Sequence, residues 1–171
     1  MAGIPEVDPT KPPTAVERAM RKFVMSKPGT AFAMKVSTRV DPVLLRLTGG
    51  RVSTGMGFPI VLLTVPGRKS GIERTVPLVY FTEGEDVVLI ASSFGRAKHP
   101  AWYLNLVAAG EAKLTGGGVE AGYRVRETEG AERERLLAMA EQLYAGYGLY
   151  RERAGDRVIP VLVLSPAGGG R

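Results

Sequence analysis

Three cations crowd into one short turn. Arg68, Lys69 and Arg74 lie in Pro66-Gly67-Arg68-Lys69-Ser70-Gly71-Ile72-Glu73-Arg74, between the apolar run Ile60-Val61-Leu62-Leu63-Thr64-Val65 and a second run that starts at Thr75. Guanidinium and ammonium groups are the donors that phosphate and carboxylate oxygens accept most strongly, and glycine at 67 and 71 permits positive φ and close backbone approach. A solvated hairpin tip has the same composition, so the turn by itself leaves both readings open. It is not a nucleotide P-loop: the spacing G-x-x-x-x-G-K-[ST] is not met, and a strand follows where that motif needs a helix. Gly55-Met56-Gly57 precedes a strand instead of following one, which sets aside a dinucleotide fingerprint.

Other residue types narrow the chemistry further. The chain has no cysteine and one histidine, His99, which excludes thiolate and histidine-rich metal centres. A Ser-His-Asp hydrolase would have to use His99, and no nucleophile elbow accompanies it. Tyr144, Tyr147 and Tyr150 recur at spacing three, with Gly146 and Gly148 between them. On residue types alone they read as core aromatics; the two glycines argue against a regular helix and for a segment able to move as a lid. Trp102, at the start of a helical stretch, reads equally as a core plug or a pocket wall. Asn105 reads as a group that satisfies backbone donors.

The elements that must position these groups follow from periodicity and turn residues. Strands are expected at about 60–65, 73–82 and 86–93, the second turn being marked by Glu83-Gly84-Glu85-Asp86. A helix over 100–109 stops at Gly110, two strands at about 111–115 and 119–128 flank Gly116-Gly117-Gly118, a helix spans 130–142, and a last strand covers 157–164. About six antiparallel strands in a chain this short suggest a closed or partly closed barrel with peripheral helices, α+β but mainly β. Upstream, residues 1–14 are expected as a loose arm, 15–26 as a basic amphipathic helix, and Asp41-Pro42 to Gly49-Gly50 as an apolar helix. Residues 15–166 then make one domain, with 167–171 as a flexible tail.

At 171 residues, 44% hydrophobic and 23% charged, the composition is that of a globular domain and not of a disordered chain. No apolar run approaches the ~20 residues that span a bilayer. The N-terminus lacks the basic and apolar regions of an export signal, which points to a cytoplasmic location. The net charge of +6 is compatible with nucleic acid, an anionic membrane or an acidic ligand. No nucleic-acid-binding module is recognisable, and a polyanionic small molecule suits the localised turn better. The basic helix at 15–26 is read first as packing on the barrel, with contact to the inner face of the membrane as the alternative. The oligomeric state is left open.

The ordered series around the turn carries a resemblance. Pro77-Leu78-Val79-Tyr80-Phe81, Val87-Val88-Leu89-Ile90-Ala91-Ser92-Ser93, Lys98-His99-Pro100-Ala101-Trp102-Tyr103-Leu104-Asn105-Leu106 and Tyr144-x-x-Tyr147-x-x-Tyr150 follow the Pro66–Arg74 turn. From about Ile60 to Pro166 the chain resembles the deazaflavin-dependent nitroreductase family, the coenzyme F420-dependent quinone reductases of actinobacteria. The resemblance implies a split β-barrel of the FMN-binding type and coenzyme F420, an elongated polyanion, as cofactor. It assigns Arg68, Lys69 and Arg74 to the phosphate and tail, extended by Ser92 and neighbouring backbone N–H groups, and it places Ala101 and Trp102 beside the ring. The family commonly has Lys where this chain has Ser93, so one cation is missing there, and Arg96 in the same loop is the expected substitute. Tyr144, Tyr147 and Tyr150 match the tyrosines over the ring that shape the acceptor site. The implied reaction is hydride transfer from reduced F420 to a quinone, with nitroaromatics or conjugated lactones as adventitious acceptors. Two rivals stand beside it: an FMN-dependent oxidoreductase of the same barrel type, and a non-catalytic cofactor-binding, membrane-associated protein.

Overall fold

The computed structural model describes residues 3–12, 14, 15 and 58–168. The helices expected at 15–26 and after Asp41 lie outside these residues, Ala15 apart. Within them the order is β1 (Ile60–Pro66), β2 (Glu73–Glu83), β3 (Asp86–Ile90), a 3-10 turn (Ser93–Gly95), α1 (Ala101–Ala109), β4 (Glu111–Gly116), β5 (Val119–Glu127), α2 (Gly130–Leu143), α3 (Gly146–Ala154) and β6 (Val161–Pro166). The strands close into a barrel in the order β1-β2-β3-β6-β5-β4, every neighbouring pair antiparallel. Closure removes the unpaired edges that an open sheet of this size would expose.

The period-two geometry of a strand explains why some strands read as alternating and others as continuous apolar runs. In β3, Val87 and Leu89 belong to the cluster that includes Val61, Leu63, Val65, Leu114 and Tyr123, whereas Val88 and Ile90 belong to a second cluster with Leu136, Leu137, Ala140 and Leu143 of α2. β6 divides likewise, Leu162 and Leu164 to the first cluster and Val161 and Val163 to the second. These two strands have apolar partners on both faces because α2 and α3 cover their outer side. β4 is uncovered there, so exposed Glu111 and Lys113 alternate with buried Ala112 and Leu114. Pro77 stands where β2 pairs with β1 beyond the end of its pairing with β3, a place that tolerates a missing N–H.

Three expectations need correction. β3 ends at Ile90 instead of 93, because Ala91 makes its last bond to Pro160 O and the backbone then leaves the extended region, with φ of 50° at Ser93 and 57° at Phe94. β6 begins at Val161 instead of 157. The start of the arm is also tied down: Ile4 is buried in the first cluster, Tyr80 donates its hydroxyl to Pro5 O at 3.0 Å, and Val7 N–H donates to Thr82 Oγ1 at 2.8 Å. Apolar burial at Ile4 and Val7 outweighs the local preference of a proline-rich segment for solvent. Ile4→Ala is therefore expected to cost about 2 kcal/mol, the low end for a buried isoleucine. Urea denaturation measures it, and a variant as stable as the wild type would show that the arm is passive.

Candidate functional site

Antiparallel closure puts the last residues of β1, β3 and β5 and the first residues of β2, β4 and β6 on one rim. The 67–72 turn, the 91–100 loop and the start of α1 all spring from that rim.

The cation turn is a compact, internally bonded loop. Gly67 N–H donates to Ile72 O at 2.9 Å, and Gly67 O accepts from Ser70 N at 3.1 Å and Gly71 N at 2.7 Å. Gly71 takes a positive φ of 67°; Gly67 does not, but a Cβ there would lie 2.9 Å from Ser70 Oγ and 3.3 Å from Ile72 O. Glycine is thus needed at 71 for conformation and at 67 for space. The turn is pinned to α1 by one long-range bond, from Arg68 N–H to Asn105 Oδ1 at 3.2 Å. Asn105 does satisfy a backbone donor, and the donor belongs to the cation turn. Arg68, Lys69 and Arg74 are exposed and have no carboxylate partner among the described residues. Arg126, Arg133, Arg135 and Arg151, by contrast, are each matched by Glu132, Glu134, Glu83 and Glu134.

A second group forms around the 92–96 loop. Ser92 is buried, and Ser93 and Phe94 sit in the left-handed region at a cost of ~1–2 kcal/mol each for residues with a Cβ. Their carbonyl partners compensate in part: Gly95 N–H donates to Ser92 O and Arg96 N–H to Ser93 O, both at 3.0 Å. Phe94 packs edge-on against Tyr150 at 5.6 Å, and Arg96 lies over the Phe94 ring at 5.8 Å. Arg96 is exposed, on the same loop as Ser93. Ala101 is exposed at the first turn of α1, and Trp102 is half-buried against the first cluster, a wall more than a plug.

The tyrosines differ from the expectation of a mobile lid. α3 is regular through Gly146 and Gly148, and Tyr147 and Tyr150 are buried in the second cluster. Gly146 serves packing here, since a Cβ would lie 2.2 Å from Tyr144 Cζ. Tyr144 and Tyr150 share a hydrogen bond at 3.0 Å, the three rings meet at 5.5–6.1 Å, and Phe58 stacks edge-on against Tyr144 at 5.0 Å. Desolvation raises the Tyr147 hydroxyl well above the ordinary phenol range, and desolvation with the Tyr144 hydrogen bond does the same for Tyr150.

The structure thus brings Arg68 and its turn to α1, and Ser92–Arg96 to the tyrosines. Between the two groups run the 96–101 segment and a residue that sequence reasoning passed over, Arg157. Its Nη2 donates to Ser92 O at 2.6 Å, and its Nη1 lies 3.3 Å from His99 Nδ1. The sequence pattern places Arg157 at the start of the final strand, whereas that strand begins at Val161 and leaves Arg157 in the preceding loop.

Buried phenols with raised pKa values favour folding while they stay protonated. The stability they contribute is full below about pH 10, the unfolded value, and is lost as pH rises from there through the folded values. Tyr80, pushed up to about 12 by burial, adds to the same effect. An absorbance titration of phenolate is expected to show a late-ionising class above pH 10, together with a fall in urea midpoint over that interval. Titration of every tyrosine near pH 10 would contradict the burial of α3.

The family model described as F420H(2)-dependent quinone reductase matches residues 35–166. "Putative F420H(2)-dependent quinone reductase Rv3178" of Mycobacterium tuberculosis is 33% identical over 116 residues, 66% of this chain and 97% of that protein. "F420H(2)-dependent quinone reductase Rv1261c" of the same species is 29% identical over 132 residues, 74% of this chain and 88% of that protein. Among solved structures, an F420-H2 dependent reductase called FDR-A is 38% identical, with a TM-score of 0.58 over 63% of this chain and 94% of its own. The fold is the split β-barrel of FMN-binding type, and the chain belongs to the F420H(2)-dependent quinone reductase family.

Proposed function

We propose that this F420-dependent oxidoreductase reduces a quinone, and that nitroaromatics and conjugated lactones act as adventitious acceptors. The observation that carries the cofactor end is the set of exposed cations, Arg68, Lys69 and Arg74, that have no carboxylate partner among the described residues, with the Arg68 backbone tied to α1 by Asn105. Guanidinium and ammonium donors that no described carboxylate neutralises suit the oxygens of a phosphate and an oligoglutamate tail, so the residues present fit the cofactor. Arg68, Lys69 and Arg74 take those anionic groups, with Ser92 and the Ser93 region adding hydroxyl and backbone donors and Arg96 supplying the cation that the family places at 93. Ala101 and Trp102 form the wall beside the ring. When bound, reduced F420 supplies a hydride equivalent; the protein positions the two reactants and excludes water.

Tyr144, Tyr147 and Tyr150 line the acceptor side in this reading. Burial holds the Tyr147 and Tyr150 hydroxyls above the ordinary phenol range, so these two act as hydrogen-bond donors and not as strong acids. Tyr144 is half-buried and is the member best able to turn its hydroxyl from Tyr150 to a ligand. Among the described residues no helix is long and apolar enough to cross a membrane. A membrane-surface role would rest on residues 15–26, and no nucleic-acid partner is proposed.

Fluorescence titration is expected to show F420 binding at micromolar concentration or below and FMN much more weakly, because the longer anion alone can engage every cation. Arg68→Ala with Lys69→Ala should weaken F420 binding by ~1.5–3 kcal/mol per contact if desolvated and by less if exposed, the loss shrinking at high salt. Unchanged binding in the double variant, or equal affinity for FMN, would sink this assignment. For the acceptor side, Tyr144→Phe is expected to lower kcat with a quinone while F420 affinity stays within a few-fold. Wild-type rates and acceptor ranking in the alanine variants of all three tyrosines would make them scaffolding only.

A further inference from the structure

Ser92 O accepts two hydrogen bonds, from Gly95 N–H at 3.0 Å and from Arg157 Nη2 at 2.6 Å. The first is local to the turn; the second reaches across 65 positions of sequence. In a trans peptide the carbonyl and the following N–H point in opposite directions, so a donor that fixes Ser92 O also fixes the direction of the Ser93 N–H. This is the peptide at which the chain enters its left-handed stretch, Ser93, Phe94 and Gly95 all having positive φ.

Arg157 is itself gripped. A guanidinium only donates, so His99 Nδ1 is the acceptor from Nη1 in this contact. The His99 ring packs on Tyr103 at 5.0 Å, and the Tyr103 hydroxyl donates to Glu127 at 3.0 Å. Arg157 Nε is buried without a hydrogen-bond partner among the described residues, so the guanidinium is held where its own polar atoms are not all satisfied. On the loop's other side no slack exists: a Cβ on Gly95 would lie 2.6 Å from Arg153 Cβ and 2.8 Å from Tyr150 O.

We propose that Arg157 is a positioning residue, locked by His99, that fixes the Ser92–Ser93 peptide and so sets how the 92–96 loop presents its backbone N–H groups and Arg96 to the cofactor's anionic groups. The proposal rests on the reading of this loop as part of the cofactor site. Arg157 then acts through the Ser92–Ser93 peptide, at the entry to the left-handed stretch.

The test compares wild type, Arg157→Gln, Arg157→Lys and His99→Leu. Amide hydrogen exchange at Gly95 and Arg96 is measured in the protein alone, F420 binding by fluorescence, and kcat apart from KM. Arg157→Gln is expected to speed exchange at those two amides about tenfold or more and to raise the F420 dissociation constant about ten- to hundredfold, with kcat at saturation little changed. Arg157→Lys, which keeps a charged donor, should recover part of both effects. His99→Leu, which removes the acceptor but leaves the bond to Ser92, should shift both in the same direction by less, and it decides the matter if Arg157→Gln does not fold. Wild-type exchange and affinity in the variants would overturn the proposal. So would a rise in exchange spread over the whole barrel in step with a lower melting temperature. If wild type itself does not bind F420, the cofactor reading fails, while the exchange at Gly95 and Arg96 still decides whether Arg157 holds the loop.

Discussion

Closure of the barrel is the constraint on which everything else rests. With six antiparallel strands joined in a ring, alternate strand ends must share a rim, and the turn after β1, the loop after β3 and the start of α1 have nowhere else to be. A few long-range bonds then set their mutual positions. Arg68 N–H to Asn105 joins the cation turn to α1, and Arg157 to Ser92 O and His99 joins the 92–96 loop to the segment that leads into α1.

The same alternation that closes the barrel also separates two apolar clusters. β3 and β6 send every second side chain outward to meet α2 and α3, and this outer cluster is what buries Tyr147 and Tyr150. Packing of that kind overrides helix propensity, which is why α3 runs through two glycines. Charge is divided in a parallel way. The arginines on the α2 side are matched by glutamates at hydrogen-bond distance, a solvated network worth little apiece. Arg68, Lys69 and Arg74 at the turn have no carboxylate partner among the described residues.

Much of this was legible in the sequence because its signals are local. Apolar runs and the Glu83–Asp86 and Gly116–Gly118 turns place β1, β2, β4 and β5 within a residue or so of their observed ends. Where local signals gave out, the errors have identifiable causes. The apolar run to Ala91 does not reveal that Ser93 turns left-handed, since serine has no marked preference for that conformation. Gly146 looked like a hinge because a ring pressed against it leaves no trace in sequence. Ile4 was lost among prolines, although Tyr123, Tyr80 and Thr82 hold its neighbourhood. Arg157 could not be found at all without the fold, because its partners lie 58 and 65 positions away.

Hydride transfer from reduced F420 to a quinone is the activity proposed for these rim residues. Its most direct measurement mixes purified protein with reduced F420 and menadione and follows the return of deazaflavin fluorescence, with reduced FMN in a parallel reaction. Reoxidation of reduced F420 is expected to depend on protein concentration and to saturate in both reactants, with little acceleration of reduced FMN. A rate equal to the protein-free control, or equal service to reduced FMN, would contradict it.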